Sequence, residues 1–367
     1  MNTHLRLSAM MFLQYFIWGA WYVTMGTYLF SLKFEGSQIG LCYGATAIAA
    51  MISPFFVGYF ADRFFPTERI LGWLHLLGAM LMLWVSGLHE FSTFYPALVL
   101  YTLTYMPTLA LTNSLAFHHI GDPEREFPRI RVLGTVGWIA AGLLVGYLAV
   151  EATETPFKIT GAASLLMAGF CFYFLPHTPP QSKNSRITVK DILGFEAFGL
   201  FRDRNFTVLV VASFLVCIPL FFYYSFANAF LNEIGVANAA GKMTLGQVSE
   251  IGFMLLMPLF FRRLGVKWMM LVGIAAWVAR YVLFAFGNNE AAVWMLYAGI
   301  LLHGMCYDFF FVTGQIFVDS KAPLAIRGAA QGLITFATQG AGAFVGTWLA
   351  GLVVDSYKMS ARYPPSL

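Results

Sequence analysis

Apolar stretches of 18 residues or more recur from one end of this chain to the other, separated by short polar loops. A bilayer-spanning helix needs roughly 20 such residues. The runs are unbroken rather than alternating, which excludes the dyad pattern of a membrane β-barrel. The pattern therefore predicts an all-α membrane protein, with spans at about 7–31, 37–60, 70–88, 94–117, 128–150, 158–176, 206–231, 244–261, 267–287, 291–316 and 328–354. The first run is long enough to cross a bilayer and lacks the small-residue cleavage site of a signal peptide.

One polar stretch is long enough to be a linker. His177 to Lys190 is rich in Pro, Ser and Lys, and Asp191 to Phe201 reads as a short interfacial helix. It divides the chain into an N-terminal six-helix bundle (1–176), a linker (177–205) and a C-terminal bundle of five spans (206–367). Ile130-Arg131 before the fifth span is echoed by Ile326-Arg327 before the eleventh, so the halves read as repeats. Two pseudo-symmetric bundles around a midplane cavity, joined by a central loop, is the layout of the major facilitator fold. On that layout a twelfth span is expected after Asp355, where the chain ends within twelve residues. The expectation is a C-terminal bundle that is truncated or altered, which leaves a transport-inactive fragment as one alternative.

Composition agrees: 59% of residues are hydrophobic and 11% charged, against roughly 25% charged in soluble domains. Charge matters by position. Arg6, Arg63, Arg69, Arg125, Arg129, Arg131, Lys183, Arg186, Lys190, Arg202, Arg204, Arg262, Arg263, Lys267, Lys321 and Arg327 fall on one side, against Lys33, Lys158, Lys242, Lys358 and Arg362 on the other. That asymmetry predicts an inner-membrane protein with its N-terminus and linker in the cytoplasm. The four cysteines lie inside predicted spans without CxxC spacing, so they suggest no disulfide framework or metal site.

After the second span, Gly58, Ala61, Asp62 and Arg63, followed by Glu68 and Arg69, resemble the signature loop of the major facilitator superfamily. An acid among arginines at a helix end can exchange partners as two bundles rock, so Gly58, Asp62 and Arg63 are candidates for a conformational latch.

Ionisable residues inside spans are costly and by default mark a pathway. The eighth span carries Gln247 and Glu250, three apart and on one face; the tenth carries His303, Tyr307 and Asp308. Asp308 and Glu250 are the candidate proton-coupling acids, because a carboxyl in an apolar cavity is far less costly neutral than charged. Arg280, in the ninth span, reads as a structural residue near the interface whose head can reach water. Arg131, Thr135 and Trp138 at i, i+4 and i+7 put a cation, a hydroxyl and a ring on one stripe. Gln14 with Trp18 and Trp21, then Asn113, and then Tyr223, Tyr224 and Asn228, add amides and rings. Such a cavity suits a neutral ligand with an aromatic part and a polyhydroxylated part.

Phe12-Leu13-Gln14-Tyr15-Phe16-Ile17-Trp18-Gly19-Ala20-Trp21, Tyr105-Met106-Pro107-Thr108 with Leu111-Thr112-Asn113, Phe127-Pro128-Arg129-Ile130-Arg131 with Gly134-Thr135 and Gly137-Trp138, and Tyr307-Asp308-Phe309-Phe310 resemble the nucleoside:proton symporter family. Ala325-Ile326-Arg327 with Ala330-Gln331-Gly332 fits too, so the resemblance runs over about residues 7–355. It implies a secondary active transporter that takes purine or pyrimidine nucleosides into a bacterial cell by alternating access. Arg131, Thr135 and Trp138 would line the site from one half, and Gln247, Glu250, Tyr307 and Asp308 from the other. The chain departs from the family where Phe221 and Tyr224 stand in place of amides and His303 in place of a tyrosine. The implied partners are a nucleoside, a proton and the lipid bilayer, with no cofactor, metal or nucleic acid, and the chain is expected to be a monomer.

A major facilitator transporter for a sugar or another small polar metabolite would use the same amides and rings. Drug efflux is a poorer match, since the Arg131 stripe and the acids suit a specific polar ligand. An enzyme is not expected. There is no HExxH motif and no nucleophile paired with a base, and His118 and His119 are cut off from Asp122 and Glu124 by Gly121 and Pro123.

Overall fold

The computed structural model describes residues 2–56, 65–179, 195–323 and 326–357. Every regular element among these is helical. We number the α-helices α1 (Thr3–Tyr22), α2 (Met25–Ser31), α3 (Gly36–Phe56), α4 (Thr67–Val85), α5 (Phe91–His119), α6 (Pro123–Leu148), α7 (Thr155–Tyr173), α8 (Arg204–Glu233), α9 (Ala239–Phe286), α10 (Val293–Leu301), α11 (His303–Tyr307), α12 (Thr313–Lys321), α13 (Arg327–Thr335) and α14 (Ala343–Ser356). Eight helical segments among the described residues are long and apolar enough to cross a membrane.

The sequence pattern and the structure differ in detail. The first predicted span is broken at Val23–Thr24 into α1 and α2. The eighth and ninth predicted spans run as one 48-residue element, α9, in which Gly265 alone leaves helical geometry (φ 67°, ψ 171°). At 1.5 Å per residue α9 is about 70 Å of helix, far more than one bilayer crossing of about 30 Å. Gly265 supplies the left-handed φ that bends it without a steric penalty. Of the predicted interfacial helix at 191–201, Phe195–Arg202 forms a short 3-10 segment. Gly58, Asp62 and Arg63 lie outside the described residues.

The helices pack around two principal cores. One joins α1–α7 through residues such as Trp21, Tyr43, Tyr101 and Phe157; the other joins α8–α11 and α14 through Cys217, Leu220, Trp277 and Phe310, and beside it Val318 of α12 and Leu333 of α13 pack on α8. The four cysteines are buried thiols. Close approach within the first group depends on glycine: a side chain on Gly137 would meet the backbone carbonyl of Phe12 on α1.

The groups touch each other mainly along α3 with α14 and α6 with α9. At one end of the molecule the contact is hydrogen-bonded. The Asp355 carboxylate, near the end of α14, accepts from the backbone N–H of Gly36 (2.5 Å) and Ser37 (2.7 Å). An acid placed on the free N–H groups of a helix start is favourable both as a cap and against the helix dipole. Thr27, Glu151 and Asn228 form a second junction at this same end.

Candidate functional site

Away from that sealed end, the two groups part around a cavity of about 490 Å³. Its first wall comes from α1 and α6. Tyr15, Trp18 and Tyr22 on α1 face Arg131, Thr135 and Trp138 on α6, the stripe set by the i, i+4, i+7 spacing. The Arg131 guanidinium lies 4.0 Å from the centre of the Tyr15 ring, which orients it without neutralising it. Trp18 packs edge-on against Trp138 at 5.6 Å. The second wall carries Phe221 and Tyr224 of α8, Gln247 and Glu250 of α9, and Tyr307 of α11. Tyr22 meets Tyr224 at 6.2 Å, so aromatic rings from both groups floor the cavity. Toward its mouth the lining becomes polar, with Ser53, Ser213, Gln315, Thr335, Thr338 and Gln339.

Arg131, Thr135, Trp138, Tyr224, Gln247, Glu250 and Tyr307 thus share one cavity. The arrangement offers a cation on one side, a carboxyl and an amide on the other, and flat rings between them. The Glu250 side chain is only partly exposed, and the Arg131 charge acts on it from the opposite wall.

Asp308 sits one residue beyond Tyr307 and is shut off from solvent, at 0% exposure. Neither carboxyl oxygen has a hydrogen-bond partner. The helix widens into a π turn over Asp308–Val312, a distortion frequent at functional sites. A negative charge held there would be uncompensated, and the nearest acid acting on it is Glu250.

Four other candidates lie off the cavity wall. Gln14 is fully buried: it donates to Thr108 Oγ1 (2.7 Å), and its Oε1 lies 3.0 Å from His75 Nε2. Asn113 lines a separate open groove with Ser114, Phe117 and His118. Asn228 is held at the sealed end by Thr27 and Glu151. His303 is buried behind Tyr224 and Glu250, its Nε2 3.9 Å from Glu250 Oε2.

Arg280 contradicts the reading of a snorkelling interfacial residue, because its side chain is 0% exposed and packed among Tyr223, Trp277 and Phe284. Sequence reasoning also missed Glu151, which falls just past the end of the fifth predicted span. The polar rim around Gln315 and Gln339 was missed as well; its signal was a few amides in otherwise apolar spans.

Comparison with known proteins bears directly on this site. A family profile described as "Nucleoside H+ symporter" matches residues 1–363. The chain is 47% identical over 374 residues to "Putative nucleoside transporter YegT" of Escherichia coli K12, covering 100% of this chain and 87% of that one. It is 32% identical to the "Xanthosine permease" of the same organism, covering 98% and 90%. A crystal structure of a mutant of the nucleoside transporter NupG superposes with a TM-score of 0.93 at 30% identity, covering 98% of this chain and 94% of that one.

Proposed function

This chain belongs to the nucleoside H+ symporter family, and on that premise we propose that its cavity holds one nucleoside between the α6 stripe and the α8, α9 and α11 wall. The protein is a multi-pass membrane transporter rather than an enzyme, and it carries nucleosides with protons by alternating access. The observation that supports the site is the meeting of Arg131, Thr135 and Trp138 with Gln247, Glu250 and Tyr307 around one 490 Å³ space. A nucleobase stacks on Trp138 and its neighbouring rings. The sugar hydroxyls pair with Gln247 and Glu250, and Arg131 and Thr135 supply donors across the gap.

Asp308 and Glu250 carry the proton in this reading. Charged, either acid is costly in its apolar surroundings; protonated, it permits the two groups to close over the loaded cavity. The basic residues gathered on one side favour an N-terminus and linker in the cytoplasm. The rim around Ser53, Ser213 and Gln315 then faces inward, and the junctions at Asp355 and Glu151 seal the outside. Counting α1–α2, α10–α12 and α13–α14 as one crossing each and α9 as two supports eleven crossings, with residues 1–176 and 206–367 as two halves joined by 177–205. A monomer suffices, since the pathway lies within one chain. The test is uptake of labelled uridine and adenosine by cells lacking their own nucleoside permeases: uptake that a protonophore abolishes supports the reading, and none from well-expressed protein removes it.

A further inference from the structure

Arg280 carries a full charge in the interior of the second group, and among the described residues no carboxylate lies within ion-pairing distance of it. Its guanidinium lies 3.3 Å from the centre of the Tyr223 ring, with Trp277 and Phe284 farther off. Nε and Nη2 make no hydrogen bond. Among the described residues its well-formed hydrogen bond is to His303, whose Nδ1 is 3.1 Å from Arg280 Nη1, while the Tyr223 hydroxyl and the Cys306 thiol lie close enough to feel the charge. A charge this costly to bury is not explained by packing alone, because a methionine would fill the aromatic cage without the desolvation penalty.

The contact with His303 has a chemical consequence. Arginine only donates hydrogen bonds, so Nδ1 of His303 must be the acceptor and the ring proton must sit on Nε2. The imidazole is stacked on Tyr223, with ring centres 5.3 Å apart and planes 27° apart, so it cannot turn freely. Nε2 has no hydrogen-bond partner of its own and lies 3.9 Å from Glu250 Oε2. That is about 1 Å longer than a hydrogen bond.

We propose that Arg280 is a positioning residue for proton coupling: it fixes His303 as the Nε2–H tautomer aimed at Glu250. The proposal rests on the reading of Glu250 as a proton-carrying acid. When the cavity contracts around its ligand, the gap closes and His303 donates to Glu250. A donor at that distance favours the charged carboxylate, so Glu250 gives up its proton to water in the cavity while His303 stays neutral throughout. The other groups facing Glu250 are Arg131 across the cavity, Tyr224 on α8, and Tyr307 and Asp308 beyond His303 on the same span. Tyr223, Tyr281 and Cys306 face Arg280, and none of them brings a fixed negative charge.

The test uses the full chain reconstituted in vesicles, with labelled uridine as probe. Two modes are compared: counterflow without a gradient, followed across pH, and accumulation driven by a pH gradient. Arg280→Met is expected to keep counterflow, move its pH dependence about one unit toward alkaline, and lower driven accumulation about tenfold, the scale of one hydrogen bond to a charged group. Arg280→Lys, which keeps a donor and the charge, is expected to resemble the parent chain. Equal loss of both modes in well-folded Arg280→Met with an unmoved pH dependence would reduce Arg280 to a structural role and overturn the proposal. Nitrogen chemical shifts of imidazole-labelled parent protein, with His303 assigned through His303→Gln, read the tautomer without relying on the Arg280 variants. A protonated Nε2 with a bare, accepting Nδ1 supports the proposal, and the opposite tautomer refutes it. Absence of any uridine transport by the parent chain would instead remove the functional reading on which the coupling role rests.

Discussion

Asn228 donates to the Glu151 carboxylate at 2.8 Å, and this contact fastens the loop after α6 to the far end of α8. Glu151 is 6% exposed and accepts two further hydrogen bonds, from Asn232 Nδ2 at 2.8 Å and from the backbone N–H of Ala240 at 2.9 Å. Thr27 completes the junction by donating to Asn228 Oδ1 at 2.5 Å. Three donors on one buried carboxylate meet the cost of burying it without a cation.

Alternating access requires that junction to open. Glu151→Ala leaves Asn228 Nδ2 and the Ala240 N–H without this acceptor in the sealed state, at about 1–3 kcal/mol for each donor that water does not reach, while Asn232 keeps its bond to Asn228 O. The balance should therefore move at least about tenfold toward the form open at this end. A cysteine introduced by Met243→Cys, beside the junction, should react faster with an impermeant maleimide in the Glu151→Ala background. An unchanged rate would show that the junction does not hold the seal.

Among the described residues Arg131 is the one cation lining the cavity, so its loss should be felt in binding rather than in folding. Arg131→Gln is expected to weaken uridine binding about 10- to 100-fold, the value of one or two hydrogen bonds from a charged donor. Titration calorimetry on purified protein reads this directly, with a melting temperature within a few degrees of the parent as the control. Unchanged affinity would take Arg131 out of the site.

How much of this was legible in the sequence depends on which face of a helix each residue occupies. Arg131, Thr135 and Trp138 repeat at helical spacing, as do Gln247 and Glu250, so each set had to share a face, and both faces open on the cavity. Gln14, Asn113, Asn228 and His303 were equally polar and equally deep in their spans. A polar side chain in a membrane helix is satisfied as well by another helix as by a ligand, and sequence does not say which. Gln14 found Thr108, and Asn228 found Thr27 and Glu151. Arg280 was misplaced for a related reason: its position near a span end suggests access to water, whereas the rings of Tyr223, Trp277 and Phe284 enclose it. The all-helical membrane character was legible in the apolar runs, whereas the continuity of α9 through Gly265 was not.

Outside the membrane, Asp203 caps α8 by accepting from the backbone N–H of Asn205 at 2.7 Å and pairs with Lys321 at 3.1 Å. Lys321 first, and the Asn205 N–H second, hold this carboxyl below its usual range. A carboxyl depressed in the folded state adds stability that is present above its unfolded value and lost as pH falls through the folded one. Thermal melts of Asp203→Ala and the parent should therefore differ near neutrality and converge below about pH 4. A difference that persists at the acid end would assign the effect to something other than this charge.

On the proposed mechanism a nucleoside and a proton cross together, with Asp308 as one of the acids that carries the proton. The most direct measurement is the internal pH of vesicles holding the reconstituted chain and a pH-sensitive dye, followed as uridine is added outside. The parent chain should acidify the lumen as uridine enters, and Asp308→Asn should exchange uridine downhill without acidification. Acidification by Asp308→Asn equal to that of the parent would contradict the assignment of Asp308, and uridine entry without acidification by the parent would contradict proton coupling itself.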